Sequence, residues 1–280
     1  MKFTQRLALG YLKTKFRLLS TFSKKKAAVK AFELFRTPQE RVKKKISGIF
    51  EEAEVLEFKL ENIPIRGYRW NHHGGRKVLI IHGFESSIVN FDQYIRPMVK
   101  KGYEVLAFDA PAHGLSGGKM ITAPLFVEMI RTIHENYGPV QSYLAHSLGG
   151  LAISLALEQI RHDDNFRVAL IAPATETTTA IDQFFRLLQL DKEVRKEFDK
   201  LITELDGHPA SWYSIHRAMK NIQAQILWFH DEDDQQTPLR DALKVKAENH
   251  PHVKFIITKG LGHAKIYRDK KVIQEIVDFL

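Results

Sequence analysis

The sequence predicts an α/β protein: a mostly parallel, twisted sheet with helices on both faces, a helical insertion after the sixth strand and a helical extension at the N-terminus. Three observations predict it. Short apolar runs at 78–81, 105–108, 142–145, 168–171, 226–229 and 254–257 suit strands buried on both faces. Helix-like segments at 90–101, 124–137, 148–161 and 239–249 fall between them, and strands alternating with helices argue for parallel crossovers. Residues 174–221 then separate two strand candidates by nearly fifty positions and are helical in composition.

The elements follow in chain order. Phe3, Leu7 and Tyr11 lie four apart, and Leu12, Phe16 and Leu19 follow at four and three, which gives an amphipathic helix. A second helical stretch carries Phe32, Leu34 and Phe35 between the basic triplets Lys24–Lys25–Lys26 and Lys43–Lys44–Lys45. Thr37-Pro38-Gln39-Glu40 reads as a further helix start, with Thr37 as N-cap. From Glu54 the rhythm changes: 55–60 and 63–70 alternate like paired strands. In the insertion, Ile181, Phe184, Phe185 and Leu188, then Phe198, Leu201 and Leu205, are spaced as apolar helix faces. The expected organisation is a basic helical extension at 1–50 and a main domain at 51–280, with a helical cap at about 174–221 placed over the sheet.

Charge is divided the same way. The chain of 280 residues has a formal net charge of +9. Residues 1–50 hold ten Lys and four Arg against Glu33 and Glu40, a balance of +12, while the other 230 carry 28 basic and 31 acidic groups, or −3. The basic pI therefore describes an arm and not the body, and gives no reason to expect nucleic acid at the body's chemistry. Two readings of the arm stand: helices packed on the main domain with lysines in solvent, or a reversible contact with anionic membrane. No base-stacking array accompanies the charge. The first fifty residues hold no apolar run long enough to span a bilayer, and Lys13, Lys15 and Arg17 interrupt the best signal-peptide core; a cytoplasmic location, with peripheral membrane contact as a variant, is the expectation. With no Cys, thiolate nucleophiles and Cys-ligated zinc are excluded. No convincing metal-ligand spacing occurs, so neither metal nor cofactor is expected.

Parallel sheets place their sites at the carboxyl ends of strands. The run at 142–145 ends in Ala145-His146-Ser147-Leu148-Gly149-Gly150 and leads into a helix-like segment. This is a nucleophile elbow of the G-x-S-x-G type, with Ala145 in the first glycine position. Small flanking residues permit a strained turn that exposes Ser147, and the Leu148 N–H at the next helix start can face an oxyanion. A serine in an ordinary strand–helix turn is the plain alternative.

With the elbow, residues 55–280 resemble the α/β-hydrolase superfamily, in its capped serine-hydrolase branch of esterases and monoacylglycerol-lipase-like enzymes. The resemblance implies several roles. His82-Gly83-Phe84 follows the strand at 78–81 where that family carries an oxyanion loop, making Phe84 N–H the second donor and His82 a support. Phe108-Asp109-Ala110-Pro111-Ala112-His113-Gly114-Leu115-Ser116 is similar to the family's D-x-R-G-H-G-x-S segment. Its Asp109 and His113 would fix the loop, and Pro111-Ala112 replace Arg-Gly. His230-Asp231-Glu232-Asp233-Asp234-Gln235-Gln236-Thr237-Pro238 is similar to H-G-x-x-D-x-x-x-P, with Asp231 in the glycine position; Asp234 is the implied acid and Asp233 its alternate. Gly260-Leu261-Gly262-His263 supplies the implied base. The order Ser147, Asp234, His263 is that of the family. His146, Phe184, Phe185 and Leu188 are candidate substrate contacts, the three in the insertion serving equally well as packing.

The implied reaction is hydrolysis of a carboxylic ester, small or lipid-like, through an acyl-enzyme. Thioester, amide or C–C hydrolysis by the same triad is the alternative, and a non-catalytic binding protein of the same fold is a third. Serine as nucleophile disfavours the superfamily's dehalogenases and epoxide hydrolases, which use aspartate there. The expected partner is a small-molecule ester; oligomeric state is not readable.

Overall fold

The computed structural model describes residues 3–41 and 48–280, with side chains from Arg6 in the first helix. The second basic triplet, Lys43 to Lys45, lies outside the described residues. Eight strands form one sheet: β1 (Glu54–Leu60), β2 (Ile63–Trp70), β3 (Lys77–Ile81), β4 (Glu104–Phe108), β5 (Ser142–His146), β6 (Arg167–Ile171), β7 (Gln225–Asp231) and β8 (Val253–Thr258). Their order is β1-β2-β4-β3-β5-β6-β7-β8. β1, β2 and β4 pair antiparallel and every later neighbour is parallel. The helices, in chain order, are α1 (Phe3–Phe22), α2 (Lys24–Phe35), α3 (Asp92–Lys100), α4 (Ala123–Tyr137), α5 (Leu148–Ala156), α6 (Thr177–Leu188), α7 (Lys192–Asp206), the short α8 (Ile215–Ala218), α9 (Leu239–Ala247), the short α10 (Gly262–Lys265) and α11 (Lys270–Phe279). The expected fold class is what is observed.

The chain divides into two compact units, residues 1–37 with 176–213, and residues 38–175 with 214–280. The second holds the sheet. Val78 and Ile80 of β3, Val105 and Ala107 of β4, Leu144 of β5 and Phe229 of β7 share one core cluster with Tyr94, Ile95 and Met98 of α3 and Val272, Ile276 and Val277 of α11. α11 was not anticipated. Its signal is present in Asp269, whose carboxylate caps Lys271 N–H and Val272 N–H, and in apolar pairs one turn apart at 272–273 and 276–277.

The first unit joins the N-terminal helices to the insertion, which the sequence placed in separate parts of the chain. Ser23 ends α1 and caps α2 by accepting Lys26 N–H. Phe198 of α7 is fully buried and meets Phe32 edge-on at 5.4 Å, Phe35 at 5.7 Å and Phe185 at 5.1 Å. Phe35 in turn meets Phe184 at 5.2 Å. Such pairs contribute about 0.5–1.5 kcal/mol each beyond the area they bury. The seam on α7 runs through Val194, Phe198 and Ile202, four apart, while Leu205, expected on that face, is exposed. The helix start expected at Thr37 is absent: residues 37–41 are not helical, and the Thr37 hydroxyl donates back to the Glu33 carbonyl at the end of α2.

Candidate active site

Five loops leave the carboxyl ends of β3, β4, β5, β7 and β8, and every predicted catalytic or loop-supporting residue sits on one of them. β5 turns into α5 at Ser147, which takes φ 53° and ψ −121°. A non-glycine residue in that region stores strain of order 1–3 kcal/mol, kept only where neighbours enforce it. Three glycines show the enforcement. A Cβ on Gly83 would stand 2.8 Å from Ser147 Cβ, one on Gly149 2.6 Å from the His82 carbonyl oxygen, and one on Gly150 2.5 Å from Pro173 Cβ. Only glycine lets the 82–84 loop, the elbow and the 173 turn approach this closely. Ser147 N–H donates to the Ile171 carbonyl and the Ser147 carbonyl accepts Ala174 N–H, so the turn is tied to the end of β6 and to the segment that follows it. Leu148 begins α5, and its amide is among those a helix leaves without an intrahelical acceptor.

The β3 and β4 loops are locked together by buried polar groups. His82 accepts Ala110 N–H at Nε2 (2.9 Å), so Nδ1 carries the proton and donates to the Gly83 carbonyl (2.7 Å). Burial holds this imidazole neutral, with its pKa pushed down to about 4. His113 repeats the arrangement, accepting Glu85 N–H at Nε2 and donating from Nδ1 to the Pro111 carbonyl; burial takes its pKa to about 3. Asp109 accepts from the Ser87 hydroxyl, Ile88 N–H and Leu115 N–H. A Cβ on Gly114 would fall 2.0 Å from that carboxylate. Where the resembling family has glycine, Ala112 adopts φ 66°.

Of the four consecutive acids, Asp234 is the one that meets the His263 ring. Asp234 Oδ2 accepts from His263 Nδ1 at 2.8 Å. Its other oxygen accepts Gln236 N–H and Thr237 N–H, and the Thr237 hydroxyl stands 2.8 Å from Oδ2. Burial pushes the Asp234 pKa up, but His263 and Thr237 outweigh it and hold the group below its ordinary value. Asp233, the alternate, accepts Gly260 N–H instead. The remaining acids of the run also face the base loop: Glu232 pairs with Lys259 at 3.4 Å, and Asp231 accepts Leu261 N–H, Gly262 N–H and the Thr258 hydroxyl.

Asp231 and Thr237 are site residues that sequence reasoning missed. The signal for Asp231 was its own departure from the glycine of the family pattern: a carboxylate there clamps the turn carrying His263. Thr237 also contacts the Ala172 carbonyl and His263 Nδ1, both at 3.1 Å, and His230 donates from Nε2 to the Thr237 carbonyl.

The candidate substrate contacts are placed otherwise. His146 is 5% exposed; it donates from Nε2 to the His263 carbonyl and packs on the rings of His263 and Tyr267 at 4.6 and 4.7 Å. Its Nδ1 is buried with no hydrogen-bond partner among the described residues, and burial takes its pKa to about 3. His146 thus supports the base loop. Phe184 and Phe185 contribute rings to the aromatic packing of α2, α6 and α7, and Leu188 is a buried position of α6.

The strand order, with an elbow between strand and helix and a carboxylate–imidazole pair after β7 and β8, is that of the α/β-hydrolase fold. Residues 73–211 match the hydrolase family described as serine aminopeptidase, S33, a span that contains the elbow and ends before Asp234 and His263. A "serine hydrolase-like protein" of Danio rerio is 31% identical over 91 residues, which are 31% of this chain and 28% of that relative's length. Among solved structures, an esterase of Pyrococcus furiosus superposes with a TM-score of 0.66 at 18% identity, over 86% of this chain and 97% of that one. Est1E of Butyrivibrio proteoclasticus, solved with ferulic acid bound, gives a TM-score of 0.61 at 18% identity, over 80% and 97%.

Proposed function

We propose that the protein is a serine hydrolase that cleaves a carboxylic ester through an acyl-enzyme on Ser147. The single observation carrying this reading is the 2.8 Å bond from His263 Nδ1 to Asp234. It leaves Nε2 of the same ring as the proton acceptor, beside an elbow that holds Ser147 at positive φ. In the proposed sequence His263 Nε2 removes the Ser147 proton as Oγ attacks the acyl carbon, and Asp234 stabilises the imidazolium. The tetrahedral oxyanion is met by the N–H groups of Phe84 and Leu148, one such donor being worth about 3 kcal/mol of barrier. His263 protonates the leaving alcohol, water enters, and the same base activates it to release the acid.

Peptide or amide hydrolysis is the second reading, favoured by the description of the matching family. An aminopeptidase must hold a free ammonium, and the carboxylates of the acid loop are each engaged by the base loop. Esters are therefore the first choice, and the structural relative from Pyrococcus furiosus, an esterase, points the same way. Labelling with a fluorophosphonate, with and without Ser147→Ala, followed by turnover of esters, thioesters and aminoacyl amides, tests both. Ser147-dependent labelling with ester turnover is expected. Absence of labelling sinks the hydrolase reading, and faster aminoacyl-amide cleavage replaces the ester by the peptide.

A further inference from the structure

α1 carries two apolar stripes, and only one is used inside its own unit. Phe16 is buried and Leu9, Leu12 and Leu19 are half-buried. On the opposite side Leu7, Tyr11, Leu18 and Phe22 are 60%, 68%, 56% and 85% exposed. At 3.6 residues per turn these four fall within an arc of about 60°, so they form one continuous ridge. Tyr11, Thr14, Lys15, Leu18, Leu19 and Phe22 line a shallow groove beside it. The other large exposed apolar side chains (Val55, Leu115, Leu187, Leu205 and Leu243) are scattered over separate elements, which needs no explanation. A ridge of four does.

Charge narrows the choice of what covers it. The helix contains no Asp or Glu. Arg6 and Arg17 border the ridge on one side and Lys15 on the other, all exposed, with Lys25 and Lys26 exposed just beyond the helix end. None of the five has a carboxylate partner among the described residues, in contrast to Lys24, which pairs with Asp191. A second copy would bring the same cations face to face. An anionic surface that also accepts apolar side chains satisfies both features, and no helix among the described residues is long and apolar enough to cross a membrane.

We propose that α1 lies in the plane of an anionic phospholipid bilayer. Leu7, Tyr11, Leu18 and Phe22 enter the boundary between headgroups and acyl chains, and the flanking Arg and Lys meet lipid phosphates and carboxylates. Neither the ridge nor its flanking cations belong to the candidate active site, so binding can be measured without catalytic turnover.

Co-sedimentation of the full chain with phosphatidylcholine vesicles, with and without phosphatidylserine, is the measurement. Wild type binds the phosphatidylserine vesicles at least about tenfold more tightly than the neutral ones, and added salt weakens binding as the charges are screened. Leu18→Glu/Phe22→Glu lowers that affinity by at least about tenfold with an unchanged thermal melt, because both side chains are exposed. Leu243→Glu, an exposed leucine on α9, binds as wild type does. No binding by wild type, or equal binding by the double variant, overturns the proposal. So does a lipid-free wild type that self-associates in sedimentation while the double variant is monomeric, which would make the ridge a protein interface.

Discussion

At the end of β7 and directly after it, four consecutive acids each meet a group on the segment that follows β8: Asp231 holds two amides, Glu232 a lysine, Asp233 a glycine amide and Asp234 the His263 ring. In α2, α6 and α7 five phenylalanines meet with no such direction, ring against ring at 5.1 to 6.3 Å. A carboxylate accepts at a particular angle and distance, so the acid loop fixes where one imidazole stands. Apolar packing rewards volume and tolerates small displacements. The two regions should therefore fail differently, the first losing chemistry at constant stability and the second losing stability.

The largest effect separates neighbouring acids. Ser147→Ala should reduce ester turnover by at least about 10⁴-fold, and Asp234→Asn by about 10⁴-fold, while Asp233→Asn should stay within about tenfold because only Gly260 loses an acceptor. Steady-state kinetics on one activated ester compares all three. A greater loss at Asp233 than at Asp234 would reassign the acid. Acid sensitivity comes next. His82, His113 and His146 are held neutral by burial, at about 4, 3 and 3, against about 6.5 when unfolded. Below pH 6.5 the unfolded chain binds more protons than the native one, so stability present above that pH is lost as pH falls toward 4. For His82 alone the shift is worth about 3 kcal/mol. Chemical-denaturant midpoints at descending pH should drop across this window, and a flat profile would contradict the buried neutral rings.

The sheet, the strand–helix turn at Ser147 and the pairing of Asp234 with His263 were legible because each rests on local grammar: strand runs, glycines at close approaches and a histidine after the last strand. The arm was legible as helices but not as a partner of the insertion. Phe32 and Phe198 are far apart in sequence, and nothing in either segment says which apolar face meets which. The surroundings of His146 were hidden for a related reason. From sequence it is a histidine next to Ser147 and a candidate substrate contact, whereas its packing on Tyr267 and its bond to the His263 carbonyl become visible only when β5 and the segment after β8 are brought together. Asp231 was in plain view as a departure from the family pattern; Thr258, Leu261 and Gly262, which it holds, lie at the end of β8 and on the segment beyond it.

On the packing side, Phe198→Ala removes the ring shared by Phe32, Phe35 and Phe185 and should destabilise by about 3–5 kcal/mol. Calorimetry should show a lowered or separate transition; an unchanged melt would mean that the seam contributes little. Asp231→Ala tests the directional side with a smaller effect. Gly260 and Gly262, at φ 83° and 59°, leave the base loop free to drift once its clamp is gone. The expected fall in kcat is about tenfold or more, since small misplacements of a catalytic group are costly, with KM little changed. Asp231→Asn, which keeps one acceptor oxygen, should recover part of it. A loss confined to stability, with kcat intact, would demote Asp231 to a structural residue.

The smallest effect lies at Ala112, where the two kinds of physics meet in one residue. Its φ of 66° costs an alanine about 1–2 kcal/mol relative to the right-handed region, and Ala112→Gly would relieve that strain. Glycine also brings extra freedom to the unfolded chain, worth about 0.4–1 kcal/mol, and removes a methyl from a site that is 1% exposed, worth about 0.8 kcal/mol. These terms nearly cancel, so denaturant titration should find a change within about 1 kcal/mol. Turnover should be unaltered, because His113 and Asp109 hold the loop through bonds to other residues. A loss above about 2 kcal/mol would mean that the buried methyl, not the backbone, sets this turn. The Pro111-Ala112 departure would then be a packing solution peculiar to this chain and not a tolerated strain.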